Sequence, residues 1–178
     1  MLREITIRRS ARAFSNREID EDIINEILEA GRWAPSCYNN QPWHFIVLNG
    51  DETEKIHGAL NKGNYWAKKA PLVIAVVAKR ENDCISDGRE YFLFDSGLAV
   101  ENMLLESYHQ GLVAHSILGF NESMVKDALN IPGDFRVLVL VIIGYEGDLN
   151  ELDEYSRQKE LAPRNRKKLT EIIHRGGW

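Results

Sequence analysis

Two runs of seven consecutive apolar residues, 72–78 and 137–143, limit what this chain can become. Neither approaches the ~20 residues that span a bilayer as a helix. Runs of this length read as strands, and a strand that is apolar on both faces belongs in the middle of a sheet. Residues 72–79 are therefore expected as a central strand with structure packed on each face, and residues 137–145 as a second strong strand. Residues 43–48 read as another strand, closed by Asn49-Gly50-Asp51.

Helical patterns fill the gaps. A short helix is expected near Glu4. Asp20 reads as an N-cap, with Glu21 and Asp22 placing negative charge in the first turn. Ile23, Ile24, Ile27 and Leu28 then form one apolar face, ending near Gly31 and Pro35. Thr53 can cap a short helix through Leu60. Residues 90–110 form the longest candidate, apolar almost all round, so it is expected in the core or against another subunit. Asn121 caps a further helix that Ile131-Pro132-Gly133 ends. The tail, residues 146–178, is polar at first but finishes with Leu169, Ile172, Ile173 and Trp178. An apolar end after a polar excursion must dock, and a partner chain is one place for it.

The 178 residues suit one domain, residues 1–178, with enough chain to bury a core. Apolar residues make up 44% and charged residues 28%. A formal net charge of -5 argues against nucleic acid, which needs a basic face. Residues 1–12 lack the apolar run of a signal peptide, and no membrane segment is expected. The two cysteines, Cys37 and Cys84, form no C-x-x-C pair, so no metal site is expected. The expectation is a cytoplasmic protein with reduced thiols.

Four clusters could carry chemistry. Arg8, Arg9, Ser10 and Arg12 put three guanidiniums and a hydroxyl within five residues, a donor set suited to phosphate. A solvated basic N-terminus is the plainer reading. Residues 35–43 set Ser36, Asn39, Asn40 and Gln41 between two prolines, with donors and acceptors for the edge of a planar heterocycle. A turn-rich surface loop is its plain reading. Arg164 and Arg166 belong to a second basic patch. Leu118-Gly119 follows an apolar residue, and the glycine permits close backbone approach. There is no triad, no paired carboxylate and no metal-ligand cluster. The five histidines are scattered and read as structural.

Taken in order, these segments resemble one family. Arg8-Arg9-Ser10-Ala11-Arg12-Ala13-Phe14, Ala30-Gly31-Arg32-Trp33-Ala34-Pro35-Ser36 and Asn39-Asn40-Gln41-Pro42-Trp43-His44-Phe45 look like the N-terminal signature of the FMN-dependent nitroreductases. Ala70-Pro71, Asp95-Ser96-Gly97-Leu98-Ala99, Asn102-Met103-Leu104-Leu105, Leu118-Gly119-Phe120, Ile131-Pro132, Ile143-Gly144-Tyr145 and residues 166–174 continue the likeness in order.

The resemblance implies an α+β fold: a mainly antiparallel sheet covered by helices, in an intertwined homodimer whose residues 146–178 extend over the partner. It implies FMN in a cleft built from both chains. Arg8 and Ser10 would meet its phosphate and ribityl chain, Arg12 its pyrimidine side, and Arg9 belongs to the same run. Pro35 and Ser36 would line the ring, and Asn39 and Gln41 would help to form the site across the interface. Gly119, beside Leu118, would present its N–H near N5. Arg166 with Arg164 would complete the phosphate clamp. The implied reaction is ping-pong: hydride passes from NAD(P)H through flavin N5 to a small planar acceptor such as a nitroaromatic or quinone, with no protein nucleophile or base. The sequence departs from many relatives in carrying Leu118 for a glutamate and Cys37 for a serine or threonine. Two other readings stay open: a specialised member that fragments flavin or removes halogen, with a lid from residues 61–69 or 83–90, and a protein that binds or senses FMN without turnover.

Overall fold

The computed structural model describes residues 1–178. Its centre is a four-stranded sheet in the order β1 (Trp43–Asn49), β2 (Leu72–Ala78), β6 (Arg136–Gly144), β5 (Val113–Ile117), every pair antiparallel. A two-stranded hairpin, β3 (Ile85–Ser86) and β4 (Arg89–Glu90), stands apart from it. Every residue of β2 is buried, as its all-apolar sequence requires. Side chains alternate across a strand. Leu72, Ile74 and Val76 therefore enter one core, and Val73, Ala75 and Val77 the other.

The first core is roofed by α2 (Glu21–Arg32) and α3 (Tyr91–His109), through Ile24, Ile27, Ala99, Met103 and Leu104. Gly31 lets these helices close up: a Cβ there would come within 2.9 Å of Met103 Cγ. Asp20 caps α2 by accepting from the Asp22 N–H at 3.2 Å. The second core gathers Phe14, Ile56, Trp66 and Val125, the last from α4 (Glu122–Leu129). Asn121 caps α4 by accepting from the Met124 N–H, and Asn130 ends it in the left-handed region, φ 54°.

Several expectations are corrected or completed. The short N-terminal helix exists as α1 (Arg3–Ile7). Strand β5 was not foreseen, nor was α5 (Glu154–Leu161). The segment near Thr53 is a 3-10 helix, Gly50–Ala59. Within this chain α3 is not covered all round: Leu93 and Phe94 stay 52% and 61% exposed. Leu169, Ile172 and Trp178 of the tail are likewise exposed. The expectation of reduced thiols is overturned, because Cys37 and Cys84 are disulfide-bonded across 47 residues. The loop after α2 and the segment before β3 meet beside the start of α3, a juxtaposition that sequence spacing does not reveal.

Residues 8–15 run beside the sheet rather than across solvent. Ser10 makes a parallel bridge to Ala114, and Phe14 an antiparallel one to Glu146. The Ser15 N–H donates to the Tyr145 carbonyl, and the Gly147 N–H to the Ala13 carbonyl. A Cβ on Gly147 would lie 2.3 Å from the Phe14 carbonyl carbon, so the pairing admits only glycine there. Gly147→Ala should lose about 1–3 kcal/mol, the usual cost of forcing atoms into filled space, read as a lower urea midpoint with unchanged slope. An unchanged midpoint would mean that the N-terminal run is not tied down as described.

Candidate functional site

Backbone contacts come first in building the site. The hydroxyl of Tyr108, on α3, accepts from the Arg9 N–H at 3.1 Å and donates to the Arg9 carbonyl at 2.7 Å. Burial pushes this phenol up, so it stays a donor at neutral pH. Glu160, on α5, accepts from the Arg12 N–H at 2.7 Å. His115, on β5, bonds through Nδ1 to the Ala11 carbonyl at 2.8 Å and stacks on Trp66 at 4.7 Å. Because a carbonyl only accepts, Nδ1 carries the proton in this contact.

Thus fixed, the run presents its arginines together. Arg8 pairs with Glu101 at 3.4 Å, and Arg9 and Arg12 with Glu160 at 3.7 and 3.8 Å. The Arg164 guanidinium reaches back to donate to the Arg8 carbonyl. Four guanidiniums thus face two carboxylates, and positive charge is left over. The Nε of Arg9 is buried and makes no hydrogen bond, its ion pair with Glu160 being too long for one. Such a set suits a multiply charged oxyanion, with the exposed Ser10 between the guanidiniums. Arg166 takes another course, donating to the carbonyls of Arg164 and Asn165. Arg164 is therefore the tail residue that joins the cluster here.

Leu118 and Gly119 lie farther along the same edge, just past β5. The Gly119 carbonyl accepts from the Asn61 N–H and from Asn64 Nδ2, both at 3.0 Å, while its own N–H has no protein acceptor. Leu118 is 77% exposed and lines a 330 Å³ cavity with Leu93, Ser96 and Val100 of α3. The buried Ser96 hydroxyl has no partner.

Pro35, Ser36, Asn39 and Gln41 form a separate group. Their loop enters β1, on the opposite edge of the sheet from β5. Tyr38, Asn39 and Gln41 have φ of 48°, 60° and 48°, a crowded left-handed stretch without glycine. Ser36 Oγ accepts from the Gln41 N–H, and Gln41 Nε2 donates to the Asn39 carbonyl. Ser36 and Gln41 thus spend these groups on shaping the loop, whereas the Asn39 side chain is exposed. No hydrogen bond in the chain joins this loop to the arginine cluster. Gln41 also borders a 710 Å³ open groove beside α2, lined by Glu29 and Arg32, whose charges satisfy each other.

Lys69 pairs with Glu151 at 2.9 Å, and Lys68 lies 4.4 Å from the centre of the Tyr65 ring. Reading the sequence missed Tyr108, Glu160 and Asp95. Asp95 had a signal, being an acid in an apolar helix. Tyr108 and Glu160 had none, since their partners lie 99 and 148 residues away.

Comparison with known proteins bears on the family and the fold. The model of the nitroreductase family matches residues 5–64 and 57–145. A protein of Archaeoglobus fulgidus named "Putative NADH dehydrogenase/NAD(P)H nitroreductase" is 30% identical over 182 residues, covering 99% of this chain and 98% of the relative. An iodotyrosine deiodinase of Haliscomenobacter hydrossis is 27% identical, covering 87% of this chain and 83% of its own length. A crystal structure described as an oxidoreductase containing FMN superposes with a TM-score of 0.88 at 28% identity, over 99% of this chain and 91% of its own.

His115 yields a test of how the run is held. Burial lowers its pKa from 6.5 to about 4, opposed by the Ala11 carbonyl and helped by Arg12 and Arg8. The unfolded chain binds the extra proton first, so this contribution is complete above pH ~6.5 and is lost as pH falls towards 4. Urea unfolding across that window should show roughly 2–3 kcal/mol more acid-linked loss in the parent than in His115→Gln. Parallel profiles would place the acid sensitivity elsewhere.

Proposed function

The chain belongs to the nitroreductase family, and we propose that it is an NAD(P)H oxidoreductase that holds FMN along the outer edge of β5. One observation carries this reading: Arg8, Ser10 and Arg164 lie together at one end of that edge, a donor set that would seat an anion, and the unpartnered N–H of Gly119 lies at the other. From the Ser10–Ala114 bridge to Gly119 is about 17 Å of extended chain, room for a phosphate at one end and a planar ring at the other. The residues present therefore fit the group.

Bound FMN would supply the two-electron relay between a nicotinamide and a small planar acceptor such as a nitroaromatic or quinone. The chain's part is binding and orientation. Arg8, Ser10 and Arg164 would take the phosphate, with Arg9 behind them; Arg166 could join only by releasing its own backbone contacts. Arg12 would offer a cation to the ring, its charge shared with Glu160. Gly119 would donate its N–H to the ring edge. Leu118 and Leu93 would keep water from one side of it.

The second half of the site is proposed to come from another copy. The apolar residues Leu2, Ile5, Trp33, Leu93, Phe94, Ile172 and Trp178 are exposed, and a partner copy could cover them. A homodimer that covers them would let Pro35, Ser36, Asn39 and Gln41 of one copy complete the edge of its partner. The dehalogenating reading gains support from the deiodinase relative. It loses support in that neither proposed lid segment is loose: Trp66 is buried in residues 62–69, and Cys84 is covalently held.

Titrating FMN into flavin-stripped protein tests the seat. Arg8→Ala should weaken binding by about 1.5–3 kcal/mol, the worth of a hydrogen bond to a charged group, while the loaded parent sediments as a dimer. Equal affinity in parent and variant would remove the phosphate from this cluster, and a stable loaded monomer would remove the second copy.

A further inference from the structure

The Cys37–Cys84 disulfide has unusual company. Asp83, buried, accepts through Oδ1 from the Cys84 N–H at 2.8 Å and from Asn40 Nδ2 at 3.2 Å. Its Oδ2 is buried without a hydrogen-bond donor. A carboxylate oxygen of Asp83 and both sulfurs lie within 4.8 Å of one another. Behind it stands Asp95, only 2% exposed, accepting from the Cys37 N–H at 2.7 Å. The two carboxyls meet, and no basic side chain pairs with either.

Two buried carboxyls set together without a cation favour the protonated form of one of them. Burial above all, and then the charge of Asp83, push the Asp95 carboxyl up against the opposing pull of the Cys37 N–H. A disulfide that opens can use an acid beside it, because the departing sulfur carries away an electron pair and is neutralised by a proton. Both cysteines are half-buried rather than sealed, so a small thiol can reach them.

We propose that Cys37 and Cys84, with the Asp83–Asp95 acid pair beside them, form a second redox site that exchanges with dithiols and thereby ties or releases the loop of residues 35–41. A dithiol's thiolate attacks one sulfur, the protein S–S bond breaks, and the departing cysteine takes a proton from the carboxyl pair in its protonated form. The dithiol's second sulfur then attacks the mixed disulfide and frees the other cysteine, which takes up a proton. The products are two protein thiols and one oxidised dithiol, and the protons lost by the dithiol balance those gained. Once the bond is open, the left-handed stretch Tyr38, Asn39 and Gln41 loses its covalent anchor at Cys37.

The test uses the folded full chain in mixtures of reduced and oxidised dithiothreitol, without denaturant. Free thiols are alkylated and counted by intact mass, and hydrogen exchange is followed at residues 38–41. The expected result is reversible conversion between no free thiols and two per chain, with native circular dichroism throughout. Exchange in the loop should rise on reduction in the parent and be indifferent to dithiothreitol in Cys84→Ser. Asp95→Asn can still accept from the Cys37 N–H but has no acid proton to give, so reduction should slow by about a hundredfold. The proposal is overturned if the bond opens only on unfolding, if the thiols stay free in oxidised dithiothreitol, if loop exchange ignores the redox state, or if folded Asp95→Asn is reduced at the parent's rate. None of these readouts needs a flavin, so they stand or fall apart from the function proposed above.

Discussion

Burial of β2 on both faces is the constraint from which the rest follows. Seven apolar side chains alternating across one strand demand a roof and a floor. The roof is α2 and α3, and the floor is Phe14, Trp66 and α4. With both faces of the sheet occupied, only its edges remain for function. β5, shorter and more polar than β2, is one of them, and the chain lays residues 8–12 beside it. The place of the arginines is thus a consequence of hydrophobic packing several ångströms away. Their own charges would have kept them in water.

Holding arginines in a cluster requires that something else bear the cost of their repulsion. Here backbone groups do much of the holding: Tyr108 grips both polar groups of the Arg9 peptide, and Glu160 binds the N–H of Arg12 before it meets any guanidinium. Glu160 and Glu101 offset part of the charge and leave the rest for a ligand. A carboxylate that is 6% exposed and shared by two arginines is costly to bury alone, so the cluster and its acid are stable only together.

What the sequence disclosed follows the range of the interactions involved. β2 and β6 were legible because a continuous apolar run has one good solution. The caps of α2 and α4 were legible because Asp20 and Asn121 act within three residues. β5 was not, because His115 and Ser116 break its apolar pattern and its partners come from both ends of the chain. The grouping of Arg8 with Arg164 was suggested by resemblance alone, and the same resemblance set Arg166 ahead of Arg164. The disulfide was not legible because 47 residues separate its halves and no C-x-x-C spacing marks them. Ser36 and Gln41 also hold their own loop in this chain, a role that their sequence context did not disclose. That loop has to be read as a shape set by the disulfide and by Asp95, and not as a row of free amides.

If the edge of β5 is a flavin seat served by a nicotinamide, the visible spectrum of the purified protein will show it. A flavin spectrum that bleaches on anaerobic addition of NAD(P)H is expected. A colourless protein that takes up no FMN would contradict the seat, and a flavin spectrum that NADH and NADPH both leave unchanged would contradict the donor.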